Sequence, residues 1–164
     1  MNIDEAKKQI YEAHKLRAIM YYYIYDEIEK ECGKDIAQVI FKRATYRRGK
    51  DIQKEYKKFL KESDFQGLAE HFCSSSPSEG DLFQPHIEKV ENNKAVLTMS
   101  SCPLVSAWKE LGISEEKIKI LCEVSAHIDF GTFKSHETEL IFTHQIGKGT
   151  SECRLIIQKK LVEQ

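Results

Sequence analysis

The strongest constraint on the fold is an unbroken opening: from Asp4 to Glu31 there is neither glycine nor proline. Along it Ile10, Ala13, Leu16, Arg17, Met20, Ile24 and Ile28 recur at helical spacing, which predicts a long amphipathic helix. "CGKD" at 32–35 stops it, with Gly33 suited to the left-handed position after a helix end. A second helix carries Ile36, Val39, Ile40 and Ala44 on one face. Gly49 marks its end or a break before the basic stretch 50–62. "ESDFQGLAEHF" predicts a short third helix capped by Ser63 or Asp64.

The Ser, Pro and Gly of "CSSSPSEGD" make 73–81 a loop and the best internal boundary. It separates a helical half, 1–72, from a mixed half, 82–164. One domain is expected across 1–164, because the amphipathic helices need a sheet face to cover. Two strand runs, "LFQPHIEKVE" and "KAVLTMS", meet at Asn92-Asn93, a tight turn if asparagine takes positive φ there. "CPLVSAWKELG" is a short helix with Pro103 in its first turn and Leu104, Trp108 and Leu111 on one face. "SEEKIKILCEVSAHIDFG" is another, capped by Ser114 and ended by Gly131. "TELIFTHQI" and "SECRLIIQKK" form a second hairpin across Gly147-Lys148-Gly149. The expected fold is therefore α+β: N-terminal helices plus a roughly four-stranded antiparallel sheet of two hairpins, with helices inserted between them.

Charge excludes some functions. Twenty-five basic against 26 acidic residues leave a net charge of −1, too little field to draw in nucleic acid or an anionic membrane. The N-terminus lacks the apolar core and cleavage site of a signal peptide. No run approaches the ~20 apolar residues of a membrane span, so a cytoplasmic protein is expected. Cys32, Cys73, Cys102, Cys122 and Cys153 are odd in number and contain no CxxC pair, which predicts thiols rather than a disulfide framework.

Chemistry-bearing residues concentrate in "CEVSAHIDFG" at 122–131. On a straight helix Ile118, Leu121, Cys122, Ser125 and Ile128 share one side, with Asp129 nearly above Cys122. Glu123 and His127 are an i, i+4 pair suited to a surface ion pair. Strand alternation puts Leu140, Phe142, His144 and Ile146 on one face, and Cys153, Leu155 and Ile157 on one face of the partner. Cys102 sits where a strand gives way to a helix. Three cysteines and one histidine could thus approach a common interior site. Cys102, Cys122 and Cys153 are then candidate zinc ligands by softness, though no local spacing supports a zinc site.

At these residues the chain resembles the L-2-amino-thiazoline-4-carboxylic acid hydrolase family, over about Arg17 to Arg154. The resemblance rests on "LRAIMYYYIYDEIEKECGKDIAQVIFKRATYRRG", on Cys102-Pro103, on "CEVSAHIDFG" and on "THQIGKGTSEC" at 143–153. The arrangement is also similar to 4-vinyl reductase-type small-molecule-binding domains, some of which resemble zinc-holding sensors. The family resemblance implies hydrolytic opening of 2-amino-thiazoline-4-carboxylate to N-carbamoyl-cysteine. It makes Cys122 the candidate nucleophile and His144 its base. Cys102, Ser125, Cys153 and Trp108 would line the pocket, and Arg17 with Arg47 or Arg48 would clamp a carboxylate. The chain departs from the family pattern at Ser125, Phe142 and Leu155-Ile156, where neutral side chains replace charged ones. Those replacements favour the other reading, a non-catalytic binding or sensor domain with an apolar, cysteine-lined pocket. Tyr21, Tyr22, Tyr23 and Tyr25 point to more than one side of the first helix, which suits a homodimer through the N-terminal helices.

Overall fold

A computed structural model describes residues 2–160; the last four residues of the expected second half, 161–164, lie outside the described residues. The chain forms α1 (Ile3–Cys32), α2 (Lys34–Glu62) and α3 (Phe65–Ser74), then β1 (Pro85–Glu91) and β2 (Lys94–Met99). Next come α4 (Pro103–Glu110), α5 (Glu115–Ser125), α6 (His127–Phe133), β3 (Thr138–His144) and β4 (Cys153–Lys159). All four strands join one antiparallel sheet in the order β1-β2-β4-β3. The α+β expectation and its two hairpins hold, and the hairpins meet where β2 pairs with β4. No described helix is long and apolar enough to cross a membrane.

Local chemistry sets the boundaries. The Asp64 carboxylate accepts from the Gly67 N–H at 2.8 Å to start α3, and Ser114 accepts from Lys117 at 3.3 Å to start α5. Gly33 takes φ 82° between α1 and α2, and Ser63 closes α2 in the left-handed region. The hairpin turn at Asn92-Asn93 forms without positive φ at either asparagine.

Two buried clusters result. In the first, Tyr56 and Leu60 of α2, Leu68 of α3 and Phe133 of α6 cover Leu97, Leu155 and Ile157 of the sheet. In the second, Ala18 and Tyr25 of α1 and Phe41 of α2 enclose Trp108 and Leu121. Trp108 donates its indole N–H to the Ala18 carbonyl at 2.8 Å. Its ring approaches that closely because residue 18 is alanine. Each fully buried aliphatic side chain contributes about 1.5–3 kcal/mol.

Four helical expectations are corrected. The stripe Ile10, Leu16, Met20 and Ile24 of α1 is exposed, and so are Ile36, Val39 and Ile40 of α2. The buried faces are instead Ala18 with Tyr25, and Ala37, Phe41, Thr45 and Gly49. Gly49 neither ends nor breaks α2, which runs on to Glu62. The helix expected from Ser114 to Gly131 divides at Ala126, and Gly131 lies inside α6. Gly49 and Gly131 are where α2 and α6 touch. A Cβ on Gly49 would sit 2.0 Å from the Ile128 carbonyl oxygen, and one on Gly131 would sit 2.2 Å from that of Tyr46.

Thr45 ties α2 to the end of α5 by donating to the Val124 carbonyl at 2.7 Å inside the core. Thr45→Val keeps the shape but strands that acceptor. It is expected to lower stability by about 1–2 kcal/mol in denaturant unfolding, with an unchanged m-value.

Candidate functional site

A cavity of about 450 Å³ lies between the two buried clusters. The sheet side contributes Met99, Phe142 and Cys153, and the helical side Cys102, Leu104, Trp108 and Cys122. Arg17, Arg48, Glu55 and Ser75 are exposed lining residues and so form its mouth. The spacing seen in "CEVSAHIDFG" survives the division at Ala126: Cys122, Ser125, Ala126 and Asp129 all face this space.

Its polar groups are few and unusually bare. The Ser125 hydroxyl is buried and has no hydrogen-bond partner among the described residues. Among the described residues the Asp129 carboxyl has no ion pair and no hydrogen bond, while its backbone amide donates to the Ala126 carbonyl. Asp129 keeps some accessible surface, but that surface is cavity wall. The carboxyl is enclosed by protein, and burial alone pushes its pKa up from 3.8 to about 7. No expected site residue matches this chemistry. Its one signal in the sequence was its position seven residues beyond Cys122.

The thiols are held in their neutral form. Burial raises Cys102, and the Val105 and Leu104 amides at the start of α4 only partly oppose it. Burial, then the neighbouring Cys102, pushes Cys122 up to about 11, against the Gly147 amide and Lys148. Cys153 rises to about 12 by burial, although Ile146 N–H donates to its sulfur at 3.4 Å. At neutral pH none is a ready thiolate. The turn over Cys122 requires glycine: a Cβ on Gly147 would lie 2.4 Å from the Cys122 Cβ. Gln145 approaches from the same turn, its amide nitrogen 3.9 Å from the Cys122 sulfur.

Cys102, Cys122, Cys153, Ser125, Trp108 and Arg17 are therefore brought to one cavity; two other expected residues are not. His144 is exposed, because a register shift between Phe142 and His144 interrupts the two-residue alternation that keeps Leu140 buried. It joins a surface network in which Thr143 bonds both His144 and Arg154 and Arg154 grips Glu88. Arg47 is exposed and outside the lining, which Arg48 joins instead. Glu123 and His127 do not pair: Glu123 takes Lys42 at 2.5 Å, and the His127 ring lies on the Glu123 carbonyl. The imidazole that does line the cavity is His14. Its Nδ1 lies 2.9 Å from the Ile10 carbonyl and so carries a proton, while burial, partly opposed by that carbonyl, lowers the pKa of the ring.

The three thiols were candidate zinc ligands without a supporting local spacing. Among the described residues, however, no group of three or more His, Cys, Asp or Glu side chains is arranged to hold a metal ion.

A family model described as L-2-amino-thiazoline-4-carboxylic acid hydrolase matches residues 13–157. No curated protein sequence matches the chain. Among solved structures, the fold is similar to a trafficking protein particle complex subunit 3 from Naegleria fowleri, covalently bound to palmitic acid. That likeness has 12% identity and a TM-score of 0.59 and covers 93% of this chain and 98% of that one. The fold is also similar to the phenol-responsive sensory domain of the transcription activator PoxR, with phenol. Here identity is 14% and TM-score 0.52, over 87% of this chain and 73% of that one. At such identities the likeness is one of fold.

Proposed function

The chain belongs to the L-2-amino-thiazoline-4-carboxylic acid hydrolase family, and from that premise we propose that the cavity is the reaction chamber of a small-molecule hydrolase acting on a cyclic amidine. The observation that carries the proposal is an Asp129 carboxyl without an ion pair lining the same cavity as the unpartnered Ser125 hydroxyl. A group with a pKa of about 7 holds both protonation states near neutral pH, which suits proton transfer in both directions. In the proposed reaction water adds to the carbon between ring nitrogen and ring sulfur. Asp129 takes a proton from that water and passes it to the ring nitrogen. It then takes the hydroxyl proton of the adduct and gives it to sulfur as the carbon–sulfur bond breaks, ending in its starting state. Ser125 is placed to hydrogen-bond the adduct. Arg17 and Arg48 at the mouth suit a substrate carboxylate.

Under this reading the thiols shape the wall and Cys122 is not the nucleophile. The test is release of N-carbamoyl-cysteine from 2-amino-thiazoline-4-carboxylate, followed chromatographically. Cys122→Ala is expected to keep kcat within about threefold, whereas a positioned nucleophile or base is worth roughly 10²–10⁴. Loss of all turnover in that variant would return Cys122 to the nucleophile's role.

A second reading draws on the cavity itself. About 450 Å³ with a mostly hydrocarbon wall exceeds what a small ring fills, and falls in the range of general ligand pockets. Palmitic acid and phenol are held by the two structural neighbours. A non-catalytic binding or sensory domain would show no thiol release, yet would melt higher with phenol or a fatty acid present.

A further inference from the structure

We infer that the outer face of the α1–α2 hairpin is a homodimer interface, formed by two copies related by a two-fold axis. Leu16, Met20 and Ile24 on α1 and Ile36, Val39 and Ile40 on α2 are 40–63% exposed. Their spacing is that of a buried helix stripe, yet each helix also has a separate apolar face already packed in the core. That inner packing brings Tyr21 and Tyr25 of α1 against Phe41 of α2, with ring centroids 5.2 and 6.0 Å apart. It fixes the two outer faces side by side across the α1–α2 crevice. Together the six side chains expose on the order of 500 Å² of apolar surface, near the upper end for a single patch on a monomer. That supplies most of the ~800 Å² that each partner brings to a standard interface.

Charge at the two ends of this face selects a second copy as the occupant. On α1 the apolar residues are followed toward the Gly33 turn by Glu27 and Glu31, and on α2 they are followed away from the turn by Arg43 and Arg47, so the two charged groups occupy opposite corners of the face. Arg43, Arg47 and Glu31 have no ion-pair partner among the described residues, while Glu27 meets only Lys30. A two-fold axis running diagonally along the apolar residues lays the acidic corner of one copy on the basic corner of the other, so the surface complements itself. Arg47, which the cavity leaves out, becomes part of this rim.

The inference is independent of the chemistry in the cavity, and light scattering after gel filtration tests it. The wild type is expected at twice the 19.0 kDa chain mass. Ile24→Glu and Ile40→Glu, both at exposed positions, are expected to give folded monomers by circular dichroism. Glu31→Arg alone, and Arg43→Glu with Arg47→Glu, are each expected to weaken association at least tenfold; all three together should restore it. A wild type monomeric at concentrations on the order of 100 µM overturns the inference. So does a dimer indifferent to Ile24→Glu and Ile40→Glu. A dimer lost in those variants but unmoved by the charge reversals overturns the pairing of the acidic with the basic corner.

Discussion

Asp129→Asn is expected to reduce hydrolytic turnover by at least ~10²-fold while making the folded chain more stable at neutral and alkaline pH. Both effects come from one environment. The carboxyl is enclosed in the cavity without an ion pair, and burial is the sole cause of its rise from 3.8 to about 7. Between those values the folded chain binds a proton that the unfolded chain has released. Stability therefore falls as pH climbs from about 4 to about 7, and the full cost of the buried charge is present above that. For a shift of this size the cost is about 4 kcal/mol at most. Asparagine keeps the shape and cannot ionise. The variant should match the wild type below pH 4 and melt several degrees higher at pH 8, given ~2–4 °C per kcal/mol for a chain of this size. The rise of kcat/KM through pH 7 should vanish with it. Equal melting temperatures at pH 8 would mean the carboxylate has a partner in solution; full activity would remove Asp129 from the chemistry.

How far the sequence reveals these features depends on what a local pattern can encode. Caps and turns were legible because Asp64, Ser114 and Gly33 act on neighbours within a few residues. The alternation of Cys153, Leu155 and Ile157 was legible because that strand is regular. His144 was misplaced because one register shift reverses a period-two pattern, and nothing in "IFTHQ" announces the shift. The faces of α1 and α2 were misjudged for another reason. Each helix carries two apolar stripes, and larger aliphatics occupy the outer one while Ala18 and Ala37 occupy the inner. Hydrophobic spacing says that a stripe will be covered, not which surface covers it. Asp129 was legible as a position but not as a reagent. Its reactivity comes from what surrounds it, and those groups are drawn from α1 through β4.

Gly131→Ala isolates one such long-range constraint, because two physical effects predict opposite signs. Gly131 lies inside α6, where alanine's better helix propensity would stabilise by up to ~1 kcal/mol. Against that, the added Cβ would lie 2.2 Å from the Tyr46 carbonyl oxygen and 2.9 Å from the Gly49 Cα. Neither neighbour is a side chain that can rotate away, so relief requires the helices themselves to separate. The facing site has the same problem, since a Cβ on Gly49 would lie 2.0 Å from the Ile128 oxygen. Overpacking of ordinary side chains costs about 1–3 kcal/mol; backbone against backbone should exceed it. Gly131→Ala is thus expected to lower stability by at least ~3 kcal/mol, with a melting temperature down by roughly 6–12 °C. The same displacement would carry Asp129 and Phe133, which α6 places in the cavity wall. Ligand-induced stabilisation should accordingly weaken even where the variant remains folded. A neutral or stabilising result would show that α2 and α6 part easily, and that the cavity does not depend on their close approach.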